Sequence, residues 1–466
     1  MKIALVLAPF LYKRCPLIGL AYLAAKLKLS GHEVDIFDLN AEMDALGAGE
    51  EKAWSEELFT EGYFNKHRAY FESQVENILQ SQAKIIGFSM WTSTKHISLA
   101  LARMIKQRDK NRLIVLGGPE CSFYKDSFIK DQSVDIVTLG EGEQTLAEIV
   151  QTYDMHGSVN FCSGTLLKIN QKVIDCGERP EIKNLDSLPF PDFSGFIFDR
   201  YYSVRTLPIM FNRGCLRHCV FCNTAVTWKK CRPRSAKNIF AEMIYQRRKY
   251  PDLQRFEVED SALNIDLKEL SDLCDLINAG DLEISWGGSA IIHPGMDYDL
   301  LKKMALAGCS CLAYGLESGS QKVVDSMRKG FKIEEAERLI RDTHNAGIEV
   351  LLNIVIGFPN ETEYDFLQTM NFIERNRDYI YSIAIPSECS IGNNTYLHTH
   401  PEEFNVTLNT GAKWRTADGS NTHELRQKRM EDFNHFVNSI GVKLQVSKLP
   451  DEKQEFLQSE KNYKEN

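Results

Sequence analysis

Cys215, Cys219 and Cys222 stand in the run FNRGCLRHCVFC with CxxxCxxC spacing. Three thiolates this close on one loop can face one inorganic centre, and soft sulfur donors suit an iron–sulfur cluster or zinc. A 4Fe–4S cluster held by only three protein thiolates leaves one iron open to a further ligand. The alternative is one zinc ion closed by Cys231, nine residues beyond Cys222, or by His218. The usual zinc signature is two well-separated CxxC-type pairs, which this spacing does not match. Three unrelated core thiols fit less well still, because Arg213, Arg217, His218 and Asn223 make the segment polar.

Other residues able to do chemistry gather at the ends of apolar runs. Ser89 closes KIIGFSM, Gly117 and Gly118 close RLIVLGG, and Gly140-Glu141-Gly142-Glu143 follows VDIVTL. In parallel sheets ligands sit outside the carboxyl ends of strands, so these positions are candidate contacts. Further on, Asp260, Glu317-Ser318 and Gly357 end apolar runs in the same way. A basic run, Lys229, Lys230, Arg232, Arg234 and Lys237, reads first as a solvated helix face. Arg232 and Arg234 lie nearest the cysteines and are the two that could meet a substrate carboxylate or phosphate. Cys309, Cys311 and Cys389 read as packed thiols.

The elements that position these residues fall into two series. The chain has 466 residues, which suits two to four domains or a large barrel with an appendage. From residue 2, strand-like and helix-like runs alternate five times up to about 153, the pattern of a doubly wound parallel sheet. Residues 154–200 hold short β-like pieces and LDSLPFPDFSGF, and read as a linker. From about 205 six more strand–helix units follow, a number that suits a partial barrel. Residues 401–466 read as a small helical C-terminal region with a disordered tail. Net charge is −9, which argues against bulk binding of nucleic acid or anionic membrane. No apolar run approaches the roughly 18–20 residues of a spanning helix. The opening run, broken by Pro9 and followed by Lys13 and Arg14, reads as a buried strand and not a signal peptide, so a cytoplasmic protein with reduced thiols is expected.

The cysteine motif, with Phe221 just before its third cysteine and after a first barrel strand, resembles the radical S-adenosylmethionine (SAM) superfamily. LDSLPFPDF, EVEDSALN, ISWGGSA, GCSCLAYGLESGSQKVVDSMRKG and GFPNET follow in an order similar to the branch with an N-terminal cobalamin (B12)-binding domain. The resemblance implies that Cys215, Cys219 and Cys222 hold a 4Fe–4S cluster whose open iron chelates SAM. One electron from an external donor such as flavodoxin or ferredoxin then releases a 5′-deoxyadenosyl radical that abstracts hydrogen from an unactivated carbon. It places Phe221, Asp260, Glu317, Ser318 and Gly357 near SAM. It places Ser89, Gly117, Gly118 and Glu141 near cobalamin. The loop after the first strand, APFLYKRCPLIG, carries no DxHxxG, so no histidine from it is expected on cobalt. The implied activity is methylation of a small-molecule or lipid substrate, with cobalamin-assisted cyclisation or rearrangement as the close alternative. A non-catalytic zinc-structured module is the alternative of another class. No nucleic-acid partner is expected.

Overall fold

The protein is described from a computed structural model covering residues 1–9, 14–42, 61–280, 282–384, 386–407 and 411–445. The tail expected near the C-terminus, from 446 on, lies outside the described residues, as does 43–60 of the polar stretch after the second strand. The chain divides into two compact units between Val204 and Arg205.

The first unit is built on a seven-stranded sheet. Its strands are β1 (Lys2–Leu7), β2 (Glu33–Asp38), β3 (Ile85–Ser89), β4 (Leu113–Gly117), β5 (Ile136–Thr138), β6 (Thr165–Ile169) and β7 (Lys172–Asp175), in the order β2-β1-β3-β4-β5-β6-β7. The first five are parallel. β1 reads KIALVL and is buried from Ile3 on, as a central parallel strand covered on both faces must be. The helix Ile18–Leu29 buries Leu20, Ala21, Tyr22, Ala24, Ala25 and Leu27. The strand order reverses between β1 and β3, which makes the carboxyl ends there a topological switch point. Residues 154–200 are not a bare connector. Within them β6 and β7 form a hairpin that extends the first sheet antiparallel to β5.

The second unit is an open parallel sheet of barrel type. Its strands are β8 (Thr206–Ile209), β11 (Arg255–Val258), β12 (Ser285–Ala290), β13 (Cys309–Glu317), β14 (Glu349–Ile356) and β15 (Ser382–Ala384), with β19 (Lys443–Gln445) added at the far edge. Short pieces accompany them: β9 (Asn212–Arg213) with β10 (Arg232–Pro233), β16 (Ser387–Glu388) on β14, and β17 (Val406–Thr407) with β18 (Arg415–Thr416). Six βα strands in sequence order, all parallel, match the expected partial barrel. β13 and β14 alternate strictly along most of their length. Leu312, Tyr314 and Leu316 are fully buried, and Tyr314 Oη meets Thr343 Oγ1 of the helix Ile333–Asn345 at 2.9 Å. On β13 the opposite face carries the small residues Cys311, Ala313 and Gly315. At the amino end of the strands Arg255 fills it, donating to Ser285 Oγ at 3.0 Å and Cys311 Sγ at 3.1 Å. Cys309 is fully buried, while Cys311 is only partly so. β19 adds an element that the polar C-terminal sequence does not announce.

Candidate functional site

The cysteine loop leaves the sheet because one carboxylate pulls the chain out of register. Apolar LPIMF could run on as a strand, yet β8 ends at Ile209. Asp260 Oδ2, at the end of β11, accepts the backbone N–H groups of Phe211 and Asn212 at 2.9 and 2.8 Å and the Asn212 side-chain amide at 2.8 Å. Asn212 and Arg213 then pair with β10, and the cysteine loop follows at once. Burial pushes the Asp260 carboxyl well above the usual range, outweighing these hydrogen bonds. Its Oδ1 is buried with no hydrogen-bond partner in the chain.

Within the loop, Cys215, Cys219 and Cys222 are all partly exposed. Amide groups point at two of the sulfurs: Arg217 N–H donates to Cys215 Sγ at 3.4 Å and Thr224 N–H to Cys222 Sγ at 3.4 Å. The loop is tied to the segment after β13. Arg217 donates to Gly330 O at 2.8 Å and to Ile292 O at 3.1 Å, and Val220 N–H donates to Met327 O at 3.2 Å. Val220 itself is buried with Val323, Met327, Phe358, Leu397 and Trp414, so an apolar cluster anchors the loop from beneath. Among the described residues no three His, Cys, Asp or Glu side chains converge as a set for one metal ion. A tetrahedral zinc site needs its donors about 2.0–2.3 Å from a single point. Thiolates of a 4Fe–4S cluster each bind a different iron and need no such convergence. Cys231 lies close by, its backbone packed against Gly214, and burial pushes its thiol up to about 11.

Lys329 connects the loop to Glu317, one of the residues singled out at the end of β13. Its ammonium donates to Glu317 Oε1 at 3.0 Å and stands 5.9 Å from the centre of the Phe221 ring. The pair is nearly enclosed, with side-chain exposures of 10% for Lys329 and 11% for Glu317. Glu317 has φ +67°, a left-handed backbone conformation that a non-glycine residue adopts at a cost. Burial pulls the Lys329 pKa down, but the Glu317 charge and the Cys219 thiolate outweigh it and hold the group cationic. Burial raises the Cys219 thiol, with Lys329 opposing that rise and the other two cysteines adding to it. Lys329 lies in MRKG, where nothing in the sequence separates it from an ordinary turn lysine.

Ser318 and Gly357 have partners inside the chain. Ser318 Oγ lies 3.1 Å from Thr369 Oγ1 and accepts the Ser320 N–H at 3.1 Å, which fixes the turn after β13. Gly357 has φ +79°, and a Cβ there would stand 2.3 Å from Arg426 Cγ. Arg426 comes from the helix His423–Ser439 and is fully buried, its guanidinium 3.8 Å from the Trp414 ring centre. It donates to Glu388 Oε1 at 2.6 Å, Asn421 Oδ1 at 3.0 Å and Trp414 O at 2.8 Å. One turn on, Arg429 meets Glu361 Oε2 at 3.1 Å, and the same oxygen accepts the Gly357 N–H at 2.8 Å. Burial carries the Glu361 carboxyl up to about 7 against the pull of Arg429. The Cβ side of Gly357, a residue that the resemblance places near SAM, is therefore occupied by the C-terminal helix. That helix locks the GFPNET loop, a role no feature of its polar sequence announces.

In the first unit Ser89, Gly117 and Gly118 come together at the ends of β3 and β4. Met90 N–H donates to Gly117 O at 2.6 Å, and Ser89 Oγ accepts Trp91 Nε1–H at 3.3 Å. Gly118 has φ +106°, and a Cβ would meet Met90 O at 2.8 Å, so this crossing needs glycine. Ser89 and Gly117 are half-buried and Gly118 is exposed, and a Cβ on Gly117 would stand 2.7 Å from Thr138 Oγ1 of β5. Glu141 faces elsewhere: it is buried and its Oε2 accepts the Ile182 N–H, pinning the segment before LDSLPFPDF to this unit. Cys389 is buried, its thiol pushed up to about 12, and its carbonyl accepts Trp414 Nε1–H at 2.8 Å. Arg234 is enclosed by Glu242 at 2.7 Å, Met210 O at 2.7 Å and Asn238. Arg232 stacks on Trp228 at 5.5 Å.

The second unit is an open parallel barrel with a three-cysteine loop after its first strand, and the first is a parallel sheet with a switch point. The chain matches the B12 binding domain family over residues 10–150 and the radical SAM superfamily over residues 209–373. It therefore carries a B12 binding domain followed by a radical SAM domain, and it is an enzyme. Cobalamin, a 4Fe–4S cluster and SAM are the cofactors of these two domains, as the sequence reading expects. The chain is 27% identical over 417 residues to an uncharacterized methyltransferase of Pyrococcus horikoshii, covering 85% of this chain and 84% of that one. It is 26% identical over 312 residues to an anaerobic magnesium-protoporphyrin IX monomethyl ester cyclase of Synechocystis sp., covering 65% and 62%. Among solved structures, the cobalamin-dependent SAM radical enzyme OxsB with aqua-cobalamin bound is similar in fold. Its TM-score is 0.67 at 18% identity over 86% of this chain, which spans 56% of the length of OxsB. Among the described residues no helix is long and apolar enough to cross a membrane.

Proposed function

We propose that the protein methylates an unactivated carbon of a small-molecule or lipid substrate. It does so in the cytoplasm, with a one-electron protein donor such as flavodoxin or ferredoxin as its reductant. The observation that carries this reading is the cysteine loop at the carboxyl end of the first barrel strand, in a chain whose other domain binds B12. The methyltransferase likeness over 84% of the Pyrococcus horikoshii protein supports the reaction type. When bound, SAM with the cluster supplies hydrogen-abstracting power and cobalamin supplies the methyl group.

The chain's own residues hold and shield. Cys215, Cys219 and Cys222 supply the three thiolates, and the amides of Arg217 and Thr224 stabilise two of them. Asp260 aims the loop, and its Oδ1 is left without a partner in the chain beside it. Phe221 and Lys329 close the side of the loop facing β13. Ser89, Gly117 and Gly118 at the ends of β3 and β4, two of them without side chains, suit the close approach of a long ligand tail. Glu317 serves through Lys329, while Ser318, Gly357 and Glu141 act as positioning residues through the contacts described.

A second reading, cyclisation or rearrangement without methylation, is favoured by the likeness to the Synechocystis cyclase. Product analysis separates the two. Anaerobic turnover of the reconstituted holoenzyme with its substrate yields both 5′-deoxyadenosine and S-adenosylhomocysteine if the methyl group is transferred. Release of 5′-deoxyadenosine alone, with substrate consumed, assigns the protein to the second reading.

A further inference from the structure

We infer that the buried Lys329–Glu317 pair tunes the cluster, with the Lys329 charge making its one-electron reduction easier. This rests on the reading of Cys215, Cys219 and Cys222 as cluster ligands. Lys329 and Glu317 lie 3.0 Å apart and nearly enclosed, at the end of β13 and on the segment after it, to which the cysteine loop is tied. Met327 and Gly330, on either side of Lys329, accept from Val220 N–H and Arg217. The lysine therefore cannot shift relative to the loop without breaking both ties. Its ammonium lies 5.9 Å from the ring of Phe221, the residue between Val220 and Cys222.

The structure makes room for this pair at some cost. A Cβ on Gly315 would meet Glu317 Oε1 at 2.8 Å and Lys329 Nζ at 3.0 Å, so a side chain there would displace the pair. β13 slips register between Gly315 and Glu317, and Glu317 takes its left-handed φ at that slip. A buried ion pair is weak evidence of stabilisation, because desolvation consumes much of the attraction. Backbone strain and a buried charge beside an electron-accepting centre together point to an electrostatic role. Cluster potentials respond to net charge, hydrogen bonds to sulfur and solvent exposure. A fixed cation favours the reduced state because that state carries one more negative charge. The electron comes from the external protein donor. No bond to Lys329 forms or breaks, so Lys329 is a positioning residue for charge and not a catalytic one.

The test is the cluster's midpoint potential, measured without SAM in anaerobically reconstituted full-length protein, for the parent, K329M, K329Q and K329R. Iron and sulfide content first establishes that each variant holds a cluster. The expected result is that K329M and K329Q each make reduction at least about tenfold less favourable, a shift of about 59 mV to more negative potential. K329R stays close to the parent. Equal potentials in all four proteins overturn the inference. So does a loss of SAM affinity in K329M with the SAM-free potential unchanged, since Lys329 would then be a substrate contact. A parent protein that takes up no iron is a different failure: it removes the cluster reading itself.

Discussion

Replacing any one of Cys215, Cys219 or Cys222 with Ala abolishes both the broad brown absorbance of the reconstituted protein and the reductive cleavage of SAM. Each thiolate binds a different iron, so no neighbour can take over its position. The loop geometry gives the same answer. Val220 is buried and doubly tied, to Met327 O and by Leu397 N–H, so the loop cannot slide to bring Cys231 into register. Cys231→Ala, Cys309→Ala and Cys311→Ala leave cluster content and SAM cleavage near parent levels. Cys309 is buried at the amino end of β13, and Cys311 is engaged by Arg255 there. Iron and sulfide analysis with quantified 5′-deoxyadenosine checks all six variants. Loss of metal in Cys231→Ala together with its retention in Cys222→Ala would mean that the ligand set is wrongly assigned.

Gly357→Ala strongly destabilises the second unit. Two costs add at this position. A left-handed φ for a residue with a Cβ costs on the order of 1 kcal/mol. The new methyl group also lands 2.3 Å from Cγ of a side chain that cannot retreat. Arg426 is held by Glu388, Asn421, Trp414 and Ala412 at once, and overpacking at fixed sites costs about 1–3 kcal/mol. The expected sum is about 3 kcal/mol. At roughly 2–4 °C per kcal/mol for a unit of this size, the transition falls by about 10 °C. Gly419→Ala is the matched control, since its φ is +71° with nothing within 4 Å of the added atom. It should lose only the backbone part. Thermal unfolding followed by circular dichroism measures both, and equal losses for the two variants would contradict the packing account.

Much of the architecture was legible because it rests on two loud signals. Continuous apolar runs such as KIALVL and EVLLNIVI mark parallel strands, and the large–small alternation in CLAYGLE separates the two faces of a barrel strand. Features set by tertiary partners were not legible. β6 and β7 show in the sequence only as short β-like pieces of a linker, without their pairing onto β5, and β19 is three residues long beside a polar helix. The early end of β8 comes from Asp260, which lies 48 residues beyond Asn212 and leaves no local trace.

The candidate site divides along the same line. A dense cysteine spacing is visible in one dimension, so the loop could be found. Asp260, Ser318, Gly357 and Glu141 were singled out by position at strand ends, but the sequence does not reveal their partners: distant backbone for Asp260 and Glu141, the Thr369 hydroxyl for Ser318 and the Glu361 carboxylate for Gly357. Lys329, Arg426 and Arg429 were missed because surface-type residues carry no mark of burial. Each is enclosed only because a specific acid faces it: Glu317, Glu388 and Glu361.

Metal and corrinoid analysis of anaerobically purified full-length protein tests the central claim most directly. Iron, zinc, labile sulfide and cobalamin are measured per chain after reconstitution with iron, sulfide and hydroxocobalamin. A cobalamin-dependent radical SAM enzyme holds close to four irons with matching sulfide and close to one cobalamin, without zinc. One zinc per chain with no iron and no retained cobalamin would contradict it and leave a zinc-structured module in its place.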